Sequence, residues 1–333
     1  MKNLMLFLVF ICLITCKSEA EPEILNINRT DNKFSNNSDN EKIDSDELRT
    51  TELDSAFDIS FDLNEIEESE SGYDYETVIK NYAGNLTNDF IYVKFRNFVV
   101  FSNLGEELTY KLIDNDIRNV YDAMYKNYLT VKPQKVTGVF LFKNFTEYMN
   151  FSTEYIDIPE DDLSPFGYYK ISKNVVVVRY IDWKGSLPHE ITHALIQIDF
   201  PNISSWFDEG IGTLHERASI VDGKLIGKHN ERLRALKRAI NDGRFTGIEE
   251  MMRTSDENFY GKNSPLYYAI ARYVTGYLQH LGLLEKFYKT YKSTVFNDRS
   301  GVSQLEKLLG KNISEISDDI TEYVLSINTE SSR

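Results

Sequence analysis

The chain is poor in cysteine, proline and positive charge. Its 333 residues include 2 Cys, 7 Pro and 37 Lys plus Arg against 52 Asp plus Glu, a net charge of −15. Two cysteines exclude a disulfide-stapled scaffold and any cysteine-rich zinc module. The acidic balance points away from nucleic acid as a partner. No apolar run reaches the roughly 18 residues that a conventional membrane-spanning helix requires. Histidine is scarce too, at 5 residues, so any histidine pattern stands out. What the chain has in quantity is apolar bulk: 41% of residues are hydrophobic and 13% aromatic. That is enough for the core of one large domain or two small ones.

The charge is uneven. Residues 17–76 hold 19 acidic and 5 basic side chains, a local balance of −14, while the remainder is close to neutral. This segment is rich in Asn, Ser, Asp and Glu and cannot bury enough surface to offset its ordering entropy. It reads as a disordered tether; the alternation of Phe57, Ile59, Phe61 and Leu63 leaves an edge strand as the other reading. Residues 1–16 read as an export signal. Lys2 precedes a 12-residue apolar core at 4–15, the length of a signal peptide and too short to span a bilayer. Leu13-Ile14-Thr15-Cys16 resembles a bacterial lipobox, with Cys16 as the lipidated residue, although Thr15 stands where Gly, Ala or Ser is usual. Cleavage after Ala20 is the competing reading and would release a soluble secreted protein. The expectation is an exported, cell-envelope lipoprotein whose only membrane contact is its lipid anchor. The lack of disulfides in a chain of this kind favours a bacterial host.

The folded part is expected over residues 77–328, with a strand-rich half at 77–200 and a helical half at 201–328. Residues 90–101 read as a hairpin turning near Arg96-Asn97. Residues 108–129 have helical spacing, with Leu112, Ile113, Ile117, Val120 and Met124 on one side. A short strand follows at 136–142 and a helix at 144–151. Residues 168–171 and 175–180 read as paired strands, the four valines 175–178 marking a strand buried on both faces. From Ser186 onward the pattern is mostly helical. The fold class is α+β.

The chemistry is concentrated between residues 186 and 217. His189-Glu190-Ile191-Thr192-His193 is an HExxH motif. Four residues is just over one helical turn, so His189 and His193 share a face and can grip one metal ion. Glu190, about 100° round the helix, can reach a water on it as general base. Ser186 is placed to cap this helix, Leu187, Ile191, Ala194, Leu195 and Ile198 form its apolar stripe, and Pro201 ends it. A catalytic zinc site needs a third protein ligand. Asp199 lies about 240° round the helix from His193 and faces away. Glu209 is better placed: Ser205-Trp206-Phe207-Asp208-Glu209-Gly210 opens a second helix, capped by Ser204 or Ser205, that returns antiparallel. Gly210 and Gly212 are costly in a helix unless close packing against the first helix needs them. Asp208 is either a charge at the helix start or a partner for a ligand histidine. Thr213 and Glu216 share the face of Glu209 and are expected to support the site. His215 should face away. Two imidazoles and a carboxylate suit one Zn²⁺ per chain.

HExxH followed by Trp206-Phe207-Asp208-Glu209-Gly210 resembles the gluzincin metallopeptidases, and within them the peptidase-MA-like proteins of bacteria. The resemblance covers roughly residues 90–325. It implies a zincin-like fold: a small mixed or antiparallel sheet, the active-site helix, then a mainly helical subdomain. It implies peptide-bond hydrolysis of a peptide or protein substrate, with the strand before the active helix pairing with that substrate. It also implies an oxyanion-stabilising tyrosine in the helical half, for which Tyr268 is the choice, ahead of Tyr267. The interval from His193 to Glu209 is shorter than in the thermolysin or aminopeptidase branches, and the thermolysin-type Asn-Glu-x-x-x-Asp signature is absent. A non-catalytic binding lipoprotein and a zinc amidase for cell-wall peptides are the alternatives.

Overall fold

The computed structural model describes residues 72–182 and 185–328. The proposed signal, Cys16 and nearly all of the acidic tether lie outside the described residues. In chain order the helices are α1 (Tyr75–Tyr82), α2 (Glu106–Leu112), α3 (Asn119–Asn127), α4 (Phe145–Glu154), α5 (Ser186–Asp199), α6 (Ser205–His215), α7 (Arg232–Asn241), α8 (Ile248–Arg253), α9 (Asp256–Phe259), α10 (Ser264–His280), α11 (Leu284–Thr294), α12 (Val302–Leu309) and α13 (Ile313–Ser326). The strands are β1 (Ile91–Phe95), β2 (Phe98–Ser102), β3 (Thr137–Phe142), β4 (Gly167–Lys170), β5 (Val175–Arg179), β6 (Ala218–Val221) and β7 (Lys224–Gly227).

Continuous apolar runs make the centre of the main sheet. Its strand order is β1-β2-β3-β5-β4, with β2, β3 and β5 parallel and the two outer pairs antiparallel. Residues 139–142 and 175–178 are at most 2% exposed, as expected of strands covered on both faces. Successive side chains alternate between those faces. Val139, Leu141, Val176 and Val178 join the large core with α3, α5 and the C-terminal helices. Phe140, Phe142, Val175 and Val177 pack with Tyr148 and Phe151 of α4. The hairpin turns at Arg96-Asn97, with Arg96 at φ 52°, and Asn174 (φ 51°) reverses the chain between β4 and β5.

Several boundaries differ from the sequence expectation. Helix α1 starts inside the segment assigned to the tether: Asp74 caps it through Thr77 N (3.0 Å), and buried Tyr75 hydrogen-bonds the Arg96 carbonyl. The helical run from α2 to α3 passes through a π-helical segment at Ile113–Arg118, and all five expected stripe residues are still buried. Ser186 is the first residue of α5 and not its cap; Gly185 takes that place at φ 67°. Helix α5 ends at Asp199, since Phe200 precedes Pro201 and leaves the helical region at φ −134°. The helical half contains a β-hairpin, β6–β7, turning on Asp222 (φ 53°) and Gly223 (φ 74°). Among the described residues no helix is long and apolar enough to cross a membrane.

Candidate metal centre

Helix α5 runs beneath the sheet with Leu187, Ile191, Ala194, Leu195 and Ile196 in the core, so its opposite face carries His189 and His193. Gly185 sets where that helix begins. A Cβ there would land on the Glu216 carbonyl, so the start of α5 sits against the end of α6. Helix α6 returns after the Phe200–Ser204 reversal and is buried along its whole length. Gly212 faces the histidines: a Cβ there would stand 3.2 Å from His189 Nε2, His189 Cε1 and His193 Cε1. Gly210 has a different neighbour, α10, where a Cβ would meet Thr275 Cγ2 at 2.6 Å and Ala271 O at 2.9 Å. Both glycines answer to close packing, one on each side of α6.

His189, Glu190 and His193 form a buried group that could hold a metal ion, one donor atom from each lying within 4.8 Å of the others. Glu209 joins them from α6. His189 Nε2 and His193 Nε2 are 2.9 Å apart, and Glu209 Oε2 lies 3.2 Å and 3.5 Å from them. A tetrahedral ion bound at about 2.0–2.1 Å sets its donors roughly 3.3 Å apart. Glu209 Oε2 is buried and has no hydrogen-bond partner, while Oε1 accepts from the Tyr260 hydroxyl at 2.9 Å. One carboxylate oxygen is thus tied down and the other points, unsatisfied, at two imidazole nitrogens.

Each histidine is held from behind. His193 Nδ1 is 2.9 Å from Asp208 Oδ1, whose other oxygen accepts from Gln197 Nε2 at 3.1 Å. His189 Nδ1 lies 3.2 Å from Glu216 Oε1, a charge contact not aligned as a hydrogen bond. Glu216 Oε2 is bonded in turn by Arg232 Nη1. Carboxylates on the outer nitrogens leave both Nε2 atoms directed at Glu209, the arrangement that orients metal-ligating histidines. The buried imidazoles and carboxylates are strongly coupled. Burial acts to lower the His189 pKa, but contacts with Glu209 and Glu216 outweigh it and lift it to about 9. Burial acts to raise Glu209, yet the histidines hold its carboxyl well below the usual carboxylate range. Two imidazoles in Nε2 contact cannot both carry a proton there, whereas a shared cation satisfies both and the carboxylate. Burial raises Glu190, against the pull of His189 and His193.

Other assignments change. Tyr268 does not line the cleft; its ring packs against Phe259 and Tyr260 and under the Arg232 guanidinium. Tyr267 bonds Glu250 at 3.0 Å. The tyrosine in the cleft is Tyr260, which follows α9 and has no local motif to announce it. Thr213 does not support the group either, because its hydroxyl bonds back to Glu209 O at 2.7 Å within α6. Gln197 was missed although it lies four residues after His193 on the same face. Asp199 faces away as expected and accepts from Thr130 N, Val131 N, Tyr288 and Lys292. His215 also faces away, 2.9 Å from Thr192 Oγ1, and burial pushes its pKa down to about 3. The cleft is closed on the sheet side by Tyr168, Tyr169 and the exposed Ile171, from β4 and its end. No protein-family model matches the chain, and no curated protein matches it.

Proposed function

We propose that the chain is a zincin-like, zinc-dependent peptidase of gluzincin type, with His189, His193 and Glu209 as the metal ligands. The observation that carries this reading is the convergence within 3.5 Å of His189 Nε2, His193 Nε2 and Glu209 Oε2, which makes no aligned hydrogen bond, inside a buried, carboxylate-braced pocket. The His-His-carboxylate donor set fits zinc better than calcium or magnesium. Zinc bound there supplies a Lewis acid that acidifies water and polarises a carbonyl.

The chain's own residues account for the rest. Glu190 takes the proton from the attacking water and delivers it to the leaving amine. Its burial brings the carboxyl towards the range in which a general base works near neutrality. Asp208 and Glu216 hold the imidazoles in the ligating tautomer. Tyr260 lines the cleft and would serve as an oxyanion donor by turning its one O–H away from Glu209 Oε1. Among the described residues β4 pairs only with β5, and an extended peptide added to its other edge would bind through main-chain hydrogen bonds. Export and a lipid anchor at Cys16 are proposed from the sequence alone.

The test is metal content with turnover. Elemental mass spectrometry of the purified protein should find one zinc per chain, lost in Glu209→Ala. Glu190→Gln should keep its zinc and lose hydrolysis of a peptide library. A folded protein that takes up no zinc would falsify the proposal and favour a binding protein without turnover.

A further inference from the structure

A second cavity shares no residue with the cleft. It has a volume of about 240 Å³ and opens between α6, β7, α10 and α13. Its polar lining is Lys228, His229, Arg272, Tyr273, Gln279 and His280, with no acidic side chain. The chain as a whole has an excess of carboxylates, so a pocket without one is a selective feature.

Arg272 decides what the cavity asks for. It is 1% exposed and is the only buried Lys or Arg among the described residues. Its Nη2 donates to the Lys228 carbonyl, its Nη1 makes no aligned hydrogen bond although the Tyr273 hydroxyl is close by, and no ion pair within 4.0 Å reaches it. The Tyr273 hydroxyl beside it likewise has no aligned hydrogen bond. Glu216 exerts a field on Arg272 but is already committed to Arg232 and His189. A buried cation without a counter-ion is costly, and an anion supplied from outside removes that cost. Lys228 and His280 are exposed at the rim, where Lys228 adds a second positive charge and His280 a ring nitrogen that can donate a hydrogen bond. Two stacked ring pairs, His229 on Tyr273 (6.3 Å) and His280 on Tyr323 (5.2 Å), provide flat walls.

We propose that this cavity binds a small organic anion, a carboxylate borne on a planar ring, with the carboxylate towards Arg272 and Lys228 and the ring against the histidine–tyrosine walls. A guanidinium fork matches a carboxylate, and the volume exceeds what one water needs by about an order of magnitude. The inference is independent of the peptidase reading.

Binding of sodium benzoate to the full chain tests it, measured by calorimetry beside benzamide and acetate. Carboxylates also ligate metals, so the titration is run on protein stripped of metal with a chelator. Benzoate should bind saturably, with benzamide and acetate each weaker by about tenfold or more. Arg272→Met removes the central cation but risks the fold. The exposed pair Lys228→Gln and His280→Gln avoids that risk and should weaken benzoate about tenfold with an unchanged melting temperature. Equal binding of benzamide, no binding of benzoate to the stripped protein, or unchanged binding in the rim variant would each overturn the proposal. Acetate binding as tightly as benzoate would overturn the ring requirement.

Discussion

Two glycines on opposite sides of α6, Gly210 and Gly212, should fail in different ways when changed to alanine. In an unconstrained helix either change gains about 1 kcal/mol from propensity. At Gly210 the added methyl would stand 2.9 Å from the Ala271 carbonyl oxygen and 2.6 Å from Thr275 Cγ2. Thr275 is fully buried with its hydroxyl bonded to the Gly210 and Arg272 carbonyls, and the backbone of α10 cannot yield without moving a helix. Overpacking of that kind costs about 1–3 kcal/mol or more, so Gly210→Ala should lose about 1–2 kcal/mol net. At Gly212 the contacts are ring atoms of His189 and His193 at 3.2 Å, which need to retreat by a few tenths of an ångström. That costs about as much as propensity returns, so stability should stay within about 0.5 kcal/mol of wild type. The retreat instead opens the His-His-Glu209 triangle and should weaken zinc about tenfold, as loss of ligand orientation does. Urea denaturation of metal-free protein and a competition titration with a chromophoric zinc chelator read the two quantities separately. Gly210→Ala as stable as wild type, or Gly212→Ala with unaltered zinc affinity, would refute the packing argument.

Asp199 joins the end of α5 to α11 and to the Thr130–Val131 backbone, so Asp199→Asn should cost about 3 kcal/mol in urea melts at neutral pH. Burial opposes ionisation of Asp199 but Lys292 and the backbone donors hold its pKa below 3.8; its contribution is therefore present above that value and fades as pH falls through the folded pKa. Asp116 behaves in the reverse sense: burial raises it from 3.8 to about 6 against Lys111. The folded state then holds its proton more tightly, and stability declines as pH rises from 3.8 to about 6. Asp116→Asn should accordingly stabilise the protein at pH 7 by up to about 3 kcal/mol, with no gain below about pH 4. Tyr260→Phe should lower kcat/KM by about tenfold to a hundredfold while leaving zinc content intact, and Tyr268→Phe should leave kcat/KM nearly unchanged.

Much of the candidate site was legible because its elements are local. HExxH declares its geometry through the helical repeat, and Ser205–Gly210 lies only one short reversal away. The antiparallel return of α6 therefore followed from chain connectivity. The hairpin at β6–β7 departs from the helical reading of this half, although Asp222-Gly223 between Ile220-Val221 and Leu225-Ile226 is a two-residue turn signal. Tyr260 was not legible. It follows a short helix 51 residues after Glu209, and one tyrosine among 21 has no local feature that distinguishes it. Thr213 is explained within the helix: its hydroxyl donates to the Glu209 and Gly210 carbonyls of its own α6.

By itself the sequence determined the pairing of His189 with His193, the burial of the central strands, and the helix reversal that returns Glu209, because each depends on periodicity over a few residues. The tertiary structure alone decided which tyrosine enters the cleft and that Glu216 and Arg232 brace His189. It alone decided that Gly210 answers to α10 and that Arg272 is buried without a counter-ion. Those facts depend on which distant faces meet, and packing of helices that are remote in the chain is what settles them.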